Sequence, residues 1–298
     1  KICVNMEYLI LILSLAGIVL GADFLVKGAV VVARKCKVSS FVIGAVIVGI
    51  GTSLPELVVS TVGAIGGNSE VAIGNVVGSN IFNVFAILGL TALFFPIAVS
   101  RENMKFEIPF CIAVSVLLML LVYNFFVVGE PRLGRWDGAA LLLIFTSFMW
   151  ISLRRGKSSA ATVGESVEEE NKSLWFAAFS ILGGLAALIV SSNFFVDEAV
   201  AIARKLGVSD AFISITLLAC GTSLPELAAS VTAAVKKDTD MALGNIIGSN
   251  IFNATMILGT ASLITPLTTG KIGLVDYGAM ILAAVLPMIF GIRGKITR

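Results

Sequence analysis

The sequence predicts an all-α polytopic membrane protein made of two inverted-topology repeats of five transmembrane helices, with helices 2 and 7 broken and the tenth helix absent from this chain. Three observations carry that prediction. The 298 residues are 57% hydrophobic and only 13% charged, with a mean hydropathy of +1.01, where a soluble domain would carry roughly a quarter charged residues. The apolar runs have about the 20 residues that a bilayer core asks of a helix. Finally, the chain repeats itself at an offset of 170 residues. GIGTSLPEL at 49–57 returns as ACGTSLPEL at 219–227, identical at seven of nine positions, and GNVVGSNIFN at 74–83 returns as GNIIGSNIFN at 244–253, identical at eight of ten. Such agreement is duplication of a unit.

The first span runs from about Tyr8 to Ala33 and ends in Arg34, Lys35 and Lys37. Acidic Glu7 precedes it and no small-residue cleavage site follows, so it reads as a span and not a signal peptide. The second, from about Ser39 to Ile65, is interrupted by Gly51 and Pro55. After the turn Gly66-Gly67-Asn68 a third span carries no charge between Val71 and Ser100. A fourth covers Ile108 to Val128 and a fifth Gly138 to Leu153. Residues 154–172 form the one sizeable loop, whose acidic run Glu168-Glu169-Glu170 reads as a solvated linker because so short a segment builds no core. The pattern then restarts. A sixth span begins at Trp175 and ends in Arg204 and Lys205, a seventh is broken at Gly221 and Pro225, an uncharged eighth covers Met241 to Gly270, and the ninth is Leu274 to Ile292. Residues 1–155 form the first repeat (helices 1–5), 156–173 a cytoplasmic linker, and 174–298 the second repeat (helices 6–9). The counterpart of the fifth span would start about ten residues past Arg298, so a tenth helix is expected that this chain lacks.

Five spans per unit is an odd number, so the second unit enters the membrane upside down. Inverted repeats with interrupted helices at matching positions are the signature of a secondary transporter with its site near the midplane. With the N-terminus outside, fourteen Lys and Arg residues fall at inside ends and six at outside ends, which orients the chain with the long loop in the cytoplasm of a cell membrane.

Each long motif places one carboxylate, Glu56 or Glu226, beside a proline, a glycine and two hydroxyl residues inside apolar runs. A charge at membrane depth is costly and marks a functional path. Pro55 or Pro225 alone could be an ordinary kink; a Glu beside it in both copies decides for a site. Thr52, Ser53, Thr222 and Ser223 supply hydroxyl oxygens. The prolines cannot donate to carbonyls four residues back, which frees backbone around Gly49 and Ala219. Ser79 with Asn83, and Ser249 with Asn253, sit four apart on one helical face. All the donors are oxygen, which favours hard cations such as Na+ and Ca2+. The chain has no histidine, which removes imidazole zinc sites, Ser-His-Asp chemistry and histidine proton relays. Cys3, Cys36, Cys111 and Cys220 stand at no ligand spacing and read as small apolar residues.

Other positions take blander readings. Gly74, Gly78, Gly244 and Gly248 are expected to let helices pack closely. Asn75 and Asn245 stay open between backbone hydrogen bonding and function. Asp23 and Lys27, four apart, read as an internal ion pair; their counterparts are Asn193 and Asp197. Asp197 and Glu198 are placed in a wet passage or at an interface, and Phe82 and Phe252 in packing.

GTSLPEL followed by GNxxGSNxFN, present twice in inverted halves, resembles the cation/Ca2+ exchanger superfamily, and within it the prokaryotic members of the Na+/Ca2+ exchanger family. The similarity covers essentially the whole chain. It implies ten spans and alternating access by sliding of the first and sixth spans past a core. The ion ligands it implies are Glu56, Thr52, Ser53, Ser79, Asn83 and the Gly49 carbonyl, with Glu226, Thr222, Ser223, Ser249, Asn253 and the Ala219 carbonyl from the second half. It implies no enzyme and no cofactor: Na+ and Ca2+ are transported, the lipid bilayer is the surrounding partner, nucleic acid is not one, and the monomer is the working unit. Asn253 stands where K+-dependent relatives carry Asp, which argues against K+ co-transport. Gly78 and Gly248 stand where proton-coupled relatives carry an acid. The implied function is electrogenic exchange of Na+ for Ca2+; the alternative is a Ca2+/H+ antiporter using the same site. A cation channel ranks lower, since broken helices in inverted halves suit alternating access. An intramembrane hydrolase ranks lower still.

Overall fold

A computed structural model describes residues 2–123, 131–158, 172–208 and 219–297, and nearly all of them are helical. Helix α1 (Ile2–Cys36) opens the chain. The second span consists of α2 (Ser40–Ile43), a π turn (Gly44–Val48) and α3 (Gly49–Thr52), followed after a break by α4 (Leu54–Ile65). The third is α5 (Ser69–Phe82), a π turn (Asn83–Leu88) and α6 (Gly89–Phe94). Strand β1 (Ile97–Ala98), α7 (Arg101–Lys105), α8 (Glu107–Tyr123), β2 (Arg132–Leu133) and α9 (Arg135–Ser158) complete the first unit. The second holds α10 (Leu174–Lys205), α11 (Ala219–Gly221), α12 (Leu224–Val235), and α13 (Thr239–Phe252) with its π turn (Asn253–Ile257) and α14 (Leu258–Ile264). It ends with β3 (Leu267–Thr268), α15 (Leu274–Gly291) and β4 (Lys295–Ile296). Residues 209–218, where the seventh span should begin, and the acidic run 168–170 lie outside the described residues. Helix α9 continues three residues into the segment taken as linker.

Among the described residues seven helices are long and apolar enough to cross a membrane, and the pair Ser40–Thr52 and Leu54–Ile65, bent by 47°, is an eighth when taken as one broken span. The chain is therefore a multi-pass membrane protein. Its ends sort into two sets, each joined by contacts that an alternating threading would place on one side. On one side β1 pairs with β4, Ser39 N–H donates to the Gly156 carbonyl, and Ala98 N–H donates to Thr239 Oγ1. On the other β2 pairs with β3, Lys271 N–H donates to Glu70 Oε1, and Lys205 pairs with Glu7. Two-residue strands are too short to carry an alternating pattern, so the sequence offers no sign of them.

The duplication is visible in the turns. Four residues in the left-handed region correspond at the same offset of 170: Lys37 (φ 51°) with Gly207 (φ 79°), and Gly67 (φ 76°) with Lys237 (φ 64°). All four close a helix in the same way. At Gly67, for example, its own N–H reaches the Ala64 carbonyl and that of Asn68 reaches Gly63, a C-terminal cap that favours glycine.

Burial separates the helices into layers. The span of α13 and α14 is the most enclosed, with Met241, Ala242, Leu243, Ile246, Ile247 and Ile251 all inaccessible. Glycines bring the second span onto it: a Cβ on Gly244 would strike the Phe41 carbonyl, and one on Gly248 would strike the Ala45 Cα. Close packing at Gly244 and Gly248 is thus as expected. Gly78 has no neighbour within 4 Å among the described residues. Phe252 packs edge-on against Phe145 at 5.6 Å.

Helices α1 and α10 lie along the outside as a pair, and their seam is made of small residues. A Cβ on Gly21 would come within 2.8 Å of the Leu188 nitrogen, and one on Gly28 within 2.8 Å of the Ala177 carbonyl oxygen. Asp23 pairs with Lys27 at 2.6 Å, as expected, and also with Lys236 beyond the end of α12 at 2.7 Å. That second bridge joins the outer pair to the core in one unit only, because Lys236 and Asp23 align with Gly66 and Asn193.

The left-handed turns give the first prediction. Gly67→Ala and Gly207→Ala would meet no neighbour within 4 Å, so only backbone strain acts, and each substitution should destabilise by about 1 kcal/mol. A melting temperature unchanged in both variants would show that the turns are not held in that conformation.

Candidate functional site

The two broken spans meet at the centre. Helix α3 stops at Thr52; Ser53 leaves helical geometry at φ −84°, ψ 9°, and α4 begins at Leu54. The second unit does the same at Ser223, with φ −92°, ψ 6°, before α12. The first break falls at Ser53, between Gly51 and Pro55, and the second covers Thr222 and Ser223, directly after Gly221. Pro55 and Pro225 lie in the first turn of the following helix, where a missing N–H costs nothing. Glu56 and Glu226 sit in those same first turns, at the positive ends of the helix dipoles.

Both glutamates are fully buried, at 0% exposure. They are tied crosswise: Ser53 Oγ donates to Glu226 Oε1 at 2.8 Å, and Ser223 Oγ to Glu56 Oε1 at 3.2 Å. Ser79 Oγ lies 3.5 Å from the same Glu56 oxygen. Thr222 lies against the Glu56 carboxylate and Thr52 against that of Glu226. Each carboxylate keeps its second oxygen, Oε2, buried without a hydrogen bond, and so does each of Asn83 and Asn253 with its Oδ1. These four buried acceptor oxygens, with the Thr222 hydroxyl, are left without a protein donor, and buried polar atoms are nearly always satisfied by some partner.

The backbone at Gly49 is drawn in as well. Its carbonyl accepts from Ser249 Oγ at 3.2 Å and lies 3.4 Å from Thr52 Oγ1, whose better acceptor is the Val48 carbonyl at 3.0 Å. Ala219 opens α11, three residues before Thr222, at the edge of the described residues. Hydroxyls and a carboxylate from each unit, with the Gly49 carbonyl, therefore come together at the two breaks, while Asn83 and Asn253 each keep an unpaired oxygen and Ala219 has no such contact among the described residues.

Asn75 and Asn245 hold the helices in position. Asn75 Nδ2 donates to the Glu56 carbonyl at 3.2 Å and to Ser60 Oγ at 3.0 Å; Asn245 Nδ2 repeats this with the Glu226 carbonyl at 3.1 Å and Ser230 Oγ at 2.8 Å. Both are thus backbone anchors next to the acids. Asn80 and Asn250, inside the repeated GSNIFN string, were passed over by the rule of side chains four apart, although their identity in both copies was a visible signal. They bridge the two units: Asn80 Nδ2 donates to the Asn250 carbonyl at 3.1 Å and Asn250 Nδ2 to the Asn80 carbonyl at 3.3 Å. A recess of about 480 Å³ lined by Arg101, Met104, Lys105 and Arg293 lies at the rim near β1 and β4, away from the acids.

Known proteins share this architecture. The model of the sodium/calcium exchanger protein family matches residues 6–154 and 176–298. The sodium/calcium exchanger MaX1 of Methanosarcina acetivorans is 35% identical over 303 residues, covering 91% of this chain and 87% of its own. The inner membrane protein YrbG of Escherichia coli is 34% identical over 290 residues, covering 93% and 86%. The structure of the sodium-calcium exchanger NCX_Mj soaked with 10 mM Na+ and zero Ca2+ superimposes with a TM-score of 0.84 at 32% identity, covering 99% of this chain and 94% of that one. On the strength of the family match across both units, the chain belongs to the sodium/calcium exchanger protein family.

Proposed function

We propose that this chain is a secondary active antiporter that exchanges Na+ for Ca2+ by alternating access. The observation that carries this is the pair of buried carboxylates, each with one oxygen on a serine of the opposite unit and the other without a partner, as are the amide oxygens of Asn83 and Asn253. Unpaired anions in a dry interior cost several kcal/mol each. A cation completes the cluster, and donors that are all oxygen select a hard one. Two carboxylates balance one Ca2+, which accepts roughly six to eight oxygens. Na+ uses the same atoms, so the two ions exclude each other, and that competition is the chemical basis of exchange. The proposed ligands are Glu56, Thr52, Ser53, Ser79, Asn83 and the Gly49 carbonyl, with Glu226, Thr222, Ser223, Ser249, Asn253 and the Ala219 carbonyl. Related NCX_Mj structures carry soaks with Na+, Ca2+ and Sr2+, which supports this choice.

The donor set exceeds the needs of one Ca2+, so its sodium-loaded form has room for more than the two Na+ that charge balance requires, and exchange is electrogenic. Helices α1 and α10 move as one body against the core, helped by their tight glycine seam and by the end-to-end pair Glu7–Lys205. The empty carrier, holding two uncompensated acids, changes face reluctantly. The protein works as a monomer in a cell membrane, N-terminus outside, with the loop between α9 and α10 in the cytoplasm; the bias of Lys and Arg towards that side supports the orientation.

Two outcomes test this in proteoliposomes. A Na+ gradient should drive Ca2+ flux, and Glu56→Gln or Glu226→Gln should each cut that flux at least about a hundredfold, the order of a lost partner in a buried charged site. Ca2+ flux driven by a pH gradient without Na+ would instead assign the site to Ca2+/H+ exchange. In Na+-loaded vesicles more than two Na+ leave for each Ca2+ taken up, so net positive charge leaves and an inside-positive potential should speed Ca2+ uptake. A rate indifferent to potential would make the exchange electroneutral.

A further inference from the structure

Asn80 and Asn250 are almost wholly buried, at 1% and 3% exposure, and neither is among the proposed ligands. Their amides are nonetheless fixed in polarity. Each directs Nδ2 at the other's main-chain carbonyl, and a carbonyl only accepts, so the NH2 group must face it. The Oδ1 of each is then aimed elsewhere. Asn80 Oδ1 accepts from Asn253 Nδ2 at 3.1 Å, and Asn250 Oδ1 accepts from Asn83 Nδ2 at 3.0 Å.

The constraint passes on. Asn253 and Asn83 meet an oxygen in the ring, so each must present its NH2 group there and turn its own Oδ1 away. Those two Oδ1 atoms are the buried amide oxygens without a partner. Asn83 lies one helical turn beyond Ser79, which touches the Glu56 carboxylate, and Asn253 occupies the matching place after Ser249. An asparagine amide turned by 180° has nearly the same shape but offers two N–H donors in place of an oxygen. Facing a cation, that orientation repels.

We infer that Asn80 and Asn250 are positioning residues for ion binding: across the boundary between the units they hold the amides of Asn253 and Asn83 so that each offers oxygen, not nitrogen, to the cation. This rests on the exchange function proposed above. The pairing is crossed, so an anchor in one unit sets a ligand in the other.

The test is Ca2+ titration of the purified full chain by calorimetry, with Na+-driven Ca2+ flux measured in parallel. Asn80→Ala should raise the Ca2+ dissociation constant about tenfold, the order of one hydrogen-bonded contact, while the maximal flux at saturating Ca2+ stays within about twofold. The deciding measurement is a double-mutant cycle. In an Asn253→Ala background Asn80→Ala should add less than about twofold, because the amide it orients is gone. In an Asn83→Ala background it should keep its effect. Equal effects in both backgrounds, or an unchanged dissociation constant, would overturn the inference and leave the ring as a brace between helices. Should Asn80→Ala not fold, the mirror set, Asn250→Ala in Asn83→Ala and Asn253→Ala backgrounds, applies the same criterion with the roles exchanged. A wild-type chain that neither binds nor exchanges Ca2+ would fail earlier, and would count against the proposed function itself.

Discussion

Two carboxylates buried at zero exposure within one interior constrain everything else in this molecule. Charge of one sign in low dielectric is expensive, and neighbouring like charges raise the cost. The fold meets the demand in part: a serine hydroxyl on each acid, the start of a helix beneath each, and an asparagine holding the carbonyl behind each. What the fold leaves unmet is equally definite. One oxygen of each carboxylate and the amide oxygens of Asn83 and Asn253 remain without a donor, and these are among the atoms proposed to hold the cation.

Neither repeat can build this site by itself. The serine that steadies Glu56 belongs to the second unit, the one that steadies Glu226 to the first, and the asparagine ring crosses the boundary four times. Inversion of the second unit is what makes the exchange of donors reciprocal. The two halves are not equal in their surroundings, however. Lys236 bridges to Asp23 on the outer helix, and the other unit has glycine and asparagine at those places, so this ion pair has no counterpart in the repeat.

The fold class, the duplication, the broken spans and the acids were legible in the sequence because each rests on a strong local signal: apolar length, a near-identical repeat, proline beside glutamate. Helix ends were less so. The eighth span reads as continuing to Gly270, but its helix stops at Ile264, because an uncharged run does not record where backbone turns into the strand at Leu267. The break at Ser53 was displaced towards Gly51 and Pro55 for a similar reason: proline terminates what precedes it and tolerates the turn that follows. Asn80 escaped notice because same-face spacing looks along one helix, while its partners lie on another. Lys37 and Lys237 in left-handed turns could be foreseen only from their glycine counterparts 170 residues away.

The most direct measurement of the central claim is the electron density of crystals grown with Ca2+, collected to separate its anomalous signal. The account predicts a single strong peak between Glu56 and Glu226, with oxygens of both carboxylates at about 2.3–2.6 Å and at least six ligands in all. A peak held by one glutamate alone, or none at saturating Ca2+, would contradict it.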